Sequence, residues 1–250
     1  MKKTLSSRTA EGRRAPGFTL VELIMVIAII TVLMTIGSFG LKNFTKASGV
    51  SVAVPIVESL IAQARALAMD KSTDARLLIC ADPDEAQKHL RFILLAYKYT
   101  DPVSGDEKWV ANTRGSYLPD AAFFSRTYSH TNHSNDSGVI PAVLAADQSI
   151  YGAEDDTTAN TNLSGPYFYY EFNSQGVVGF RDPDTSDFEA SDAASFVIGA
   201  GIKPPGVTNP TVSGAGGERN FGGAIIWKRG NTSTIKHPDQ INLPANVTTF

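Results

Sequence analysis

The N-terminal part of the chain contains a long apolar run. Residues 18–41 read FTLVELIMVIAIITVLMTIGSFGL, and Glu22 is the only charged residue among them. A helix needs about 20 predominantly apolar residues to cross a hydrocarbon core of about 30 Å. The pattern therefore predicts a membrane-spanning helix over residues 18–41.

Helical spacing of apolar residues continues after this run. Positions three and four apart form one stripe: Val50, Val54, Val57, Leu60, Ile61, Ala64, Leu67 and Ala68. We predict one helix over residues 18–70, loosened near Gly49 and Pro55, whose second half packs on a folded domain. The alternating polar residues, including Glu58 and Arg65, are expected to form its solvated face.

After Asp70 the pattern changes to short runs of β-branched and aromatic residues between turn-forming residues. The predicted strands are 75–81, 91–99, 108–112, 167–173, 177–180, 195–202 and 224–228. Residues 71–250 then form a β-rich domain with a mostly polar insertion near 129–166. The expected fold class is α+β, with the long N-terminal helix packed on a sandwich-like domain.

Charge is distributed unevenly along the chain. Residues 1–17 hold five basic residues and one acidic residue, which gives this segment a net charge of +4. Because the whole chain has a net charge of −3, the remaining residues carry a net charge of −7. The positive-inside rule predicts that this basic leader is cytoplasmic and that the C-terminal domain lies across the membrane. An acidic body argues against nucleic acid as a general partner, since phosphate binding requires clustered Lys and Arg.

The segment Gly17-Phe18-Thr19-Leu20-Val21-Glu22 precedes and opens the apolar run. A secretory signal would place its cleavable small residue after a shorter apolar core. The segment instead resembles the processing site of type IV prepilins and type II secretion pseudopilins. The resemblance implies cleavage after Gly17, which removes leader 1–17, and methylation of Phe18. It also implies that the partners are prepilin peptidase, other pilin or pseudopilin subunits, an inner-membrane assembly platform and the lipid bilayer.

Glu22 has a physical interpretation that does not depend on the family. An acidic group at the centre of a spanning helix costs about 2.5 to 3.5 kcal/mol and generally has a partner. After cleavage, the amino group of Phe18 in the same subunit or in a neighbour becomes a candidate partner. Such pairing between subunits would favour assembly. The alternative is a Glu22 side chain hydrated at the cytoplasmic edge of the membrane.

A weaker resemblance extends into the rest of the chain. It is carried by Ala64-Arg65-Ala66-Leu67-Ala68-Met69, the predicted strand at 75–80, Phe172-Asn173-Ser174-Gln175-Gly176 and Ile225-Ile226-Trp227-Lys228-Arg229-Gly230. Together these segments look like minor pseudopilins of the GspH and FimT type. The chain departs from that group by its extra length, chiefly around 129–166 and 203–222.

The sequence was expected to show known motifs if the chain were a common enzyme or metal protein, and it shows none of those considered below. The sequence holds no G-x-S-x-G, P-loop or H-E-x-x-H motif, so no catalytic residue, cofactor or metal site is assigned. His130 and His133 have a possible metal spacing in a polar stretch, and residues 182–189 form an acidic loop that offers oxygen ligands for calcium. We interpret both as solvated loops.

Three further features have simpler explanations than function. The single cysteine, Cys80, is expected to be a buried structural thiol. The aromatic run Tyr167-Phe168-Tyr169-Tyr170 is expected to lie on a half-buried strand rather than to stack nucleic acid bases. The basic candidates for DNA binding near the C-terminus are Lys228, Arg229 and Lys236, and three charges on a net-acidic body do not favour DNA binding.

The sequence therefore predicts a non-enzymatic minor pseudopilin, single-pass in the inner membrane, with a periplasmic C-terminal domain. Two alternatives remain open: a minor type IV pilin used for adhesion, motility or DNA uptake, and a membrane-tethered enzyme or binding domain with a prepilin-like anchor.

Overall fold

The computed structural model describes residues 19–131, 145–181, 185–204, 206–212 and 220–235, with the backbone alone for 35–48 and 145. The chain divides into two compact units, Met1–Asn43 and Phe44–Phe250, and each is described by itself. The described strands all belong to the second unit.

The helix α1 spans Leu20–Lys71, 52 residues, and confirms the predicted long helix. It continues through Gly49 and Pro55 without a break in helical structure. A Cβ atom at Gly49 would lie 3.0 Å from the backbone oxygen of Asp120. Gly49 therefore permits a close backbone approach within the folded domain, a role that differs from the predicted loosening of the helix.

The described residues of the folded domain form short strands. They are β1 (Ala75–Cys80), β2 (Phe92–Thr100), β3 (Glu107–Ala111), β4 (Ser116–Tyr117), β5 (Ala122–Phe124), β6 (Ala145–Gln148), β7 (Ile150–Tyr151), β8 (Gly165–Phe172), β9 (Val178–Arg181), β10 (Phe188–Ala190), β11 (Ala193–Ile202), β12 (Thr211–Val212), β13 (Phe221–Trp227) and β14 (Thr232–Ile235). Each predicted strand is present, with ends shifted by at most three residues. The strands that were not predicted have two to four residues, too few to show a period.

Two sheets are built from these strands. The larger has the order β10-β9-β8-β1-β2-β3-β7, with β4 joined to β2 and β6 joined to β8. The smaller has the order β12-β11-β13-β14, with β5 joined to β11. Among the described pairs, β3 with β7 is parallel and the others are antiparallel. The predicted α+β class, a long helix with a β-rich domain, is therefore confirmed, whereas the sandwich-like packing of the two sheets stays a prediction.

A first hydrophobic cluster, the helix-side cluster, connects α1 to both sheets. Ile61 of α1, Leu77 and Tyr170 of the larger sheet and Phe196 of the smaller sheet are all fully buried in it. Burial of each large apolar side chain stabilises the fold by about 1.5 to 3 kcal/mol. By length and a mean hydropathy of 1.5, the stretch Gly49–Lys71 could also cross a membrane. Its apolar stripe is instead the part of α1 that enters this core.

A second hydrophobic cluster, the insertion-side cluster, contains the alternate residues of the same central strands, such as Leu78 and Leu94. Ile150 and Leu163, which lie within the predicted insertion, pack in it. Part of the insertion also supplies strands β6 and β7 to the larger sheet. The described part of 129–166 is therefore built into the domain. It helps to bury the side chains of the central strands that belong to the insertion-side cluster.

An ion-pair network lies among the strands of the larger sheet. Glu171, which is fully buried, pairs with Arg76 at 2.6 Å and with Arg181 at 2.8 Å. Arg76 also donates to Gln148 at 2.8 Å, and its guanidinium lies 4.0 Å from the ring centroid of Trp109. Because Gln148 belongs to β6, the network attaches the insertion to the centre of the sheet.

Arg65 differs from its predicted position on a solvated helix face. It is half-buried, and a Cβ atom at Gly230 would lie 2.4 Å from its Cδ atom. A Cβ atom at Gly176 would lie 3.0 Å from the Arg65 Cγ atom. The prediction was wrong for this residue because an Arg stem packs like an apolar side chain where glycines leave room for it.

Candidate functional site

The residues predicted to be processed lie at the start of the chain. Gly17 and Phe18 are outside the described residues, and so is leader 1–17. Their predicted roles in cleavage and methylation therefore remain predictions. The described part of the candidate site begins at Thr19 and includes Glu22.

Thr19 and Glu22 form a capping box at the start of α1. The Thr19 hydroxyl accepts a hydrogen bond from the Glu22 backbone N–H at 3.2 Å. The Glu22 carboxylate accepts hydrogen bonds from the Thr19 backbone N–H at 3.0 Å and from the Thr19 hydroxyl at 2.9 Å. These bonds satisfy backbone groups that a helix start leaves without partners within the helix.

The capping box leaves part of the Glu22 carboxylate unused. Both bonds from Thr19 go to Oε2, so Oε1 does not take part in the box. A carboxylate near a helix N-terminus is also favoured by the helix dipole. The T-x-x-E spacing of a capping box is visible in the sequence, but Glu22 was interpreted alone, so Thr19 was missed as its partner.

The described apolar part of this helix exposes its side chains within its own unit. The stretch Leu20–Met34 is a short apolar helical segment, and the exposed fraction of its large apolar side chains lies between 44% at Ile30 and 74% at Leu20. A continuous exposed apolar surface of this kind is typical of a site that contacts lipid or another protein. Glu22 lies in the first turn of the helix that carries this surface.

Comparison with protein families identifies the same segment. Residues 12–38 match the prokaryotic N-terminal methylation motif. The chain carries a prepilin-type N-terminus. The match includes Gly17, Phe18, Thr19 and Glu22, and it supports a type IV pilin-like protein that is anchored in a membrane, processed by prepilin peptidase and assembled with other subunits.

The match ends at residue 38 and covers none of the folded domain. Comparison with curated proteins and with solved structures found no match to the chain.

The other candidate sites from the sequence do not come together in the described residues. His130 forms an isolated bridge with Ser195, while His133 lies outside the described residues. In the acidic loop, Asp182 and Asp184 are also outside them. Over the described ranges, no group of three or more His, Cys, Asp or Glu residues is placed to hold a metal ion.

Cys80 and the aromatic run both lie on strands of the larger sheet. Cys80 is buried, as expected, and burial raises the pKa of its thiol. The aromatic run lies on β8, but the expectation of a half-buried strand was wrong. Tyr167 and Tyr169 pack in the insertion-side cluster, whereas Phe168 and Tyr170 pack in the helix-side cluster. Both sets are buried because the insertion covers the side that was expected to face solvent.

The basic residues near the C-terminus do not form a described cluster. Lys228 pairs with Asp192 at 3.1 Å, and Arg229 is exposed. Lys236 lies outside the described residues.

Proposed function

We propose that the chain is a minor pseudopilin: a non-enzymatic structural subunit of a type II secretion pseudopilus, assembled through its N-terminal helix. The observation that carries the proposal is the methylation motif at residues 12–38, which continues into an exposed apolar helix capped by Thr19 and Glu22. In this proposal prepilin peptidase cuts after Gly17 and methylates Phe18.

Glu22 then has two separate tasks. Its Oε2 atom closes the capping box with Thr19, and its Oε1 atom receives the amino group of Phe18 from the same or a neighbouring subunit. A charge pair of this kind compensates a carboxylate that would otherwise be costly in the membrane. Pairing between subunits sets the axial register as apolar side chains exchange lipid for neighbouring helices.

The assignment to the GspH and FimT type gains support from the surroundings of Arg65. Three of the segments that carry that resemblance meet there, because Gly176 and Gly230 each approach the Arg65 stem closely. A Cβ atom at Gly176 would also lie 3.0 Å from the Met69 sulfur. The loose sequence similarities thus describe one packing arrangement between α1 and two turns.

In the proposed topology, leader 1–17 is cytoplasmic, residues 18–41 cross the inner membrane, and residues 71–250 are periplasmic. The charge difference across the apolar run supports this orientation. The energy for extracting the subunit from the bilayer comes from a cytoplasmic ATPase of the assembly machinery.

Deletion of the gene tests the proposal against a minor type IV pilin. A pseudopilin predicts loss of protein secretion, with twitching motility and DNA transformation retained. The wild-type gene should restore secretion, and a Glu22→Ala gene should not. Loss of motility or transformation with normal secretion would instead support the pilin function.

A further inference from the structure

A cleft in the C-terminal domain has no role in the proposed function. Its volume is about 380 Å³. The lining combines a histidine and an arginine with small polar side chains and one aromatic ring: His89, Arg126, Thr127, Phe168, Thr208 and Asn209. The cleft lies entirely in the unit Phe44–Phe250 and was not foreseen in the sequence, where these residues are far apart.

His89 is the unusual residue of this cleft. The residue is 4% exposed, and neither ring nitrogen has a hydrogen-bond partner among the described residues. A buried polar group without a partner is destabilising, and native structures seldom retain one without a reason. Asn209 lies close to the ring. A ligand in the cleft would supply the partner that the described residues do not give these two nitrogens.

The backbone next to His89 is strained. Leu90 has a φ angle of +58°, in the left-handed region that favours glycine. Hydrogen bonds nevertheless fix this turn: the His89 N–H donates to the Glu85 carbonyl at 2.8 Å, and the Leu90 N–H donates to the Cys80 carbonyl at 2.9 Å. Such strain is common at binding sites, and the hydrogen bonds of this turn fix the position of His89 three residues before the start of β2.

The cleft is rich in hydrogen-bond donors. Arg126 is exposed, and its guanidinium lies 5.3 Å from the ring centroid of Phe168, which orients it. The side chains of Thr127, Thr208 and Asn209 add further donors. Lys203, which lines the adjoining cavity, places a second positive charge near His89. Asp82 is an opposing charge near His89, but it is not among the residues that line the cleft, and it accepts the Asp84 backbone N–H at 2.9 Å.

We propose that this cleft binds a carboxylate group of a partner polypeptide, paired with Arg126 and hydrogen-bonded by His89. The planar guanidinium fork fits a carboxylate with two parallel hydrogen bonds. The described lining of the cleft holds the positive charge of Arg126 and no acidic residue, so it would repel a ligand cation. The proposal is independent of the N-terminal processing and gives the folded domain a partner-binding function of its own.

Histidine NMR of the full chain in detergent tests the proposal. The protein is labelled with ¹⁵N-histidine, and the His89 signals are identified by their loss in His89→Gln. Three probes are titrated: acetyl-Gly-Asp-Gly-amide, acetyl-Gly-Gly-Gly with a free C-terminus, and the neutral acetyl-Gly-Asn-Gly-amide. The first two distinguish an acidic side chain from a chain terminus as the source of the carboxylate.

We expect at least one carboxylate probe to shift the His89 signals and the neutral probe to leave them unchanged. Arg126→Gln should weaken that binding about tenfold, as expected for loss of a charged hydrogen-bonding partner. Arg114→Gln, at an exposed arginine outside the cleft lining, is the matched control and should bind like the wild type. Equal shifts with the neutral probe, no shift with either carboxylate, or unchanged binding in Arg126→Gln would each overturn the proposal.

Discussion

The carboxylate of Glu22 accepts two hydrogen bonds from Thr19, one from its backbone N–H at 3.0 Å and one from its hydroxyl at 2.9 Å. The same carboxylate is predicted to pair with the amino group of Phe18. Glu22 would therefore serve both helix initiation and subunit assembly, and the two functions can be separated by substitution.

Glu22→Gln is expected to keep the capping box, because Gln can replace Glu in that motif, but to lose the charge that pairs with an amine. Membrane insertion and cleavage should then remain near wild-type levels while assembly is lost. Photo-crosslinking between subunits in cells, from a photoreactive residue at position 30, measures assembly. Thr19→Val is the matched variant, since it removes the hydroxyl of the cap and keeps the charge. Equal assembly in Glu22→Gln and the wild type would show that the charge is not required.

The buried network of Glu171 with Arg76 and Arg181 should be sensitive to loss of one member. Glu171→Gln leaves two arginines without their common buried partner, and we expect the free energy of unfolding to fall by about 3 to 5 kcal/mol. Denaturant titration followed by tryptophan fluorescence measures the change. Asp120→Asn, which affects an ion pair between Arg91 and a fully exposed carboxylate, should change little. A similar fall in the free energy of unfolding in both variants would contradict the claim that burial makes the Glu171 network more important for stability than the exposed ion pair.

Gly230 should not tolerate a side chain. Its φ angle is +74°, and a Cβ atom would lie 2.4 Å from the Cδ atom of Arg65. Alanine there should cost about 1 to 2 kcal/mol from the backbone alone, and more from the contact. In an Arg65→Ala background the contact cost should disappear while the backbone cost remains, so the two changes should be non-additive. Additive changes in thermal unfolding would show that the two residues do not interact.

The stability of the C-terminal domain should depend on pH through His89. Burial first, and then the positive charge of Lys203, lower the pKa of His89 below its ordinary value of 6.5. Between that value and the lower folded pKa, the unfolded chain binds more protons than the folded chain. The free energy of unfolding therefore falls as the pH falls through this window.

His89→Gln removes this dependence. Thermal unfolding between about pH 7.5 and pH 5.5 should show a smaller loss of stability in His89→Gln than in the wild type. The other three histidines are common to both proteins, so their contributions cancel in the comparison. A loss that is equal in the two proteins would contradict the lowered pKa.

The long helix and the longer strands could be predicted from the sequence because their patterns are long enough to show a period. The apolar stripe that includes Val54 and Ile61 is buried as predicted. Short strands such as β7 could not be predicted, since two residues carry no period. The burial of Tyr169 could not be predicted either, because Ile150 and Leu163 pack in the same cluster only when the insertion folds onto the sheet.

The candidate sites also differ in how far they could be predicted from the sequence. Glu22 and its motif are local, so the sequence identified them, and the Thr19 partner was within reach of a known spacing rule. The cleft at His89 combines residues from positions 89, 126 and 209, and only the tertiary fold brings them together. Arg65 was assigned to solvent because the space left by Gly176 and Gly230 is a property of two turns that the helix sequence does not contain.

The N-terminus of the mature protein is the most direct test of the account. Mass spectrometry of the protein purified from cells with and without prepilin peptidase measures it. We predict a chain that begins with N-methylated Phe18 when the peptidase is present, and an uncleaved leader when it is absent. A mature terminus at any other residue, or the same terminus without the peptidase, would contradict the assignment as a pilin-like subunit.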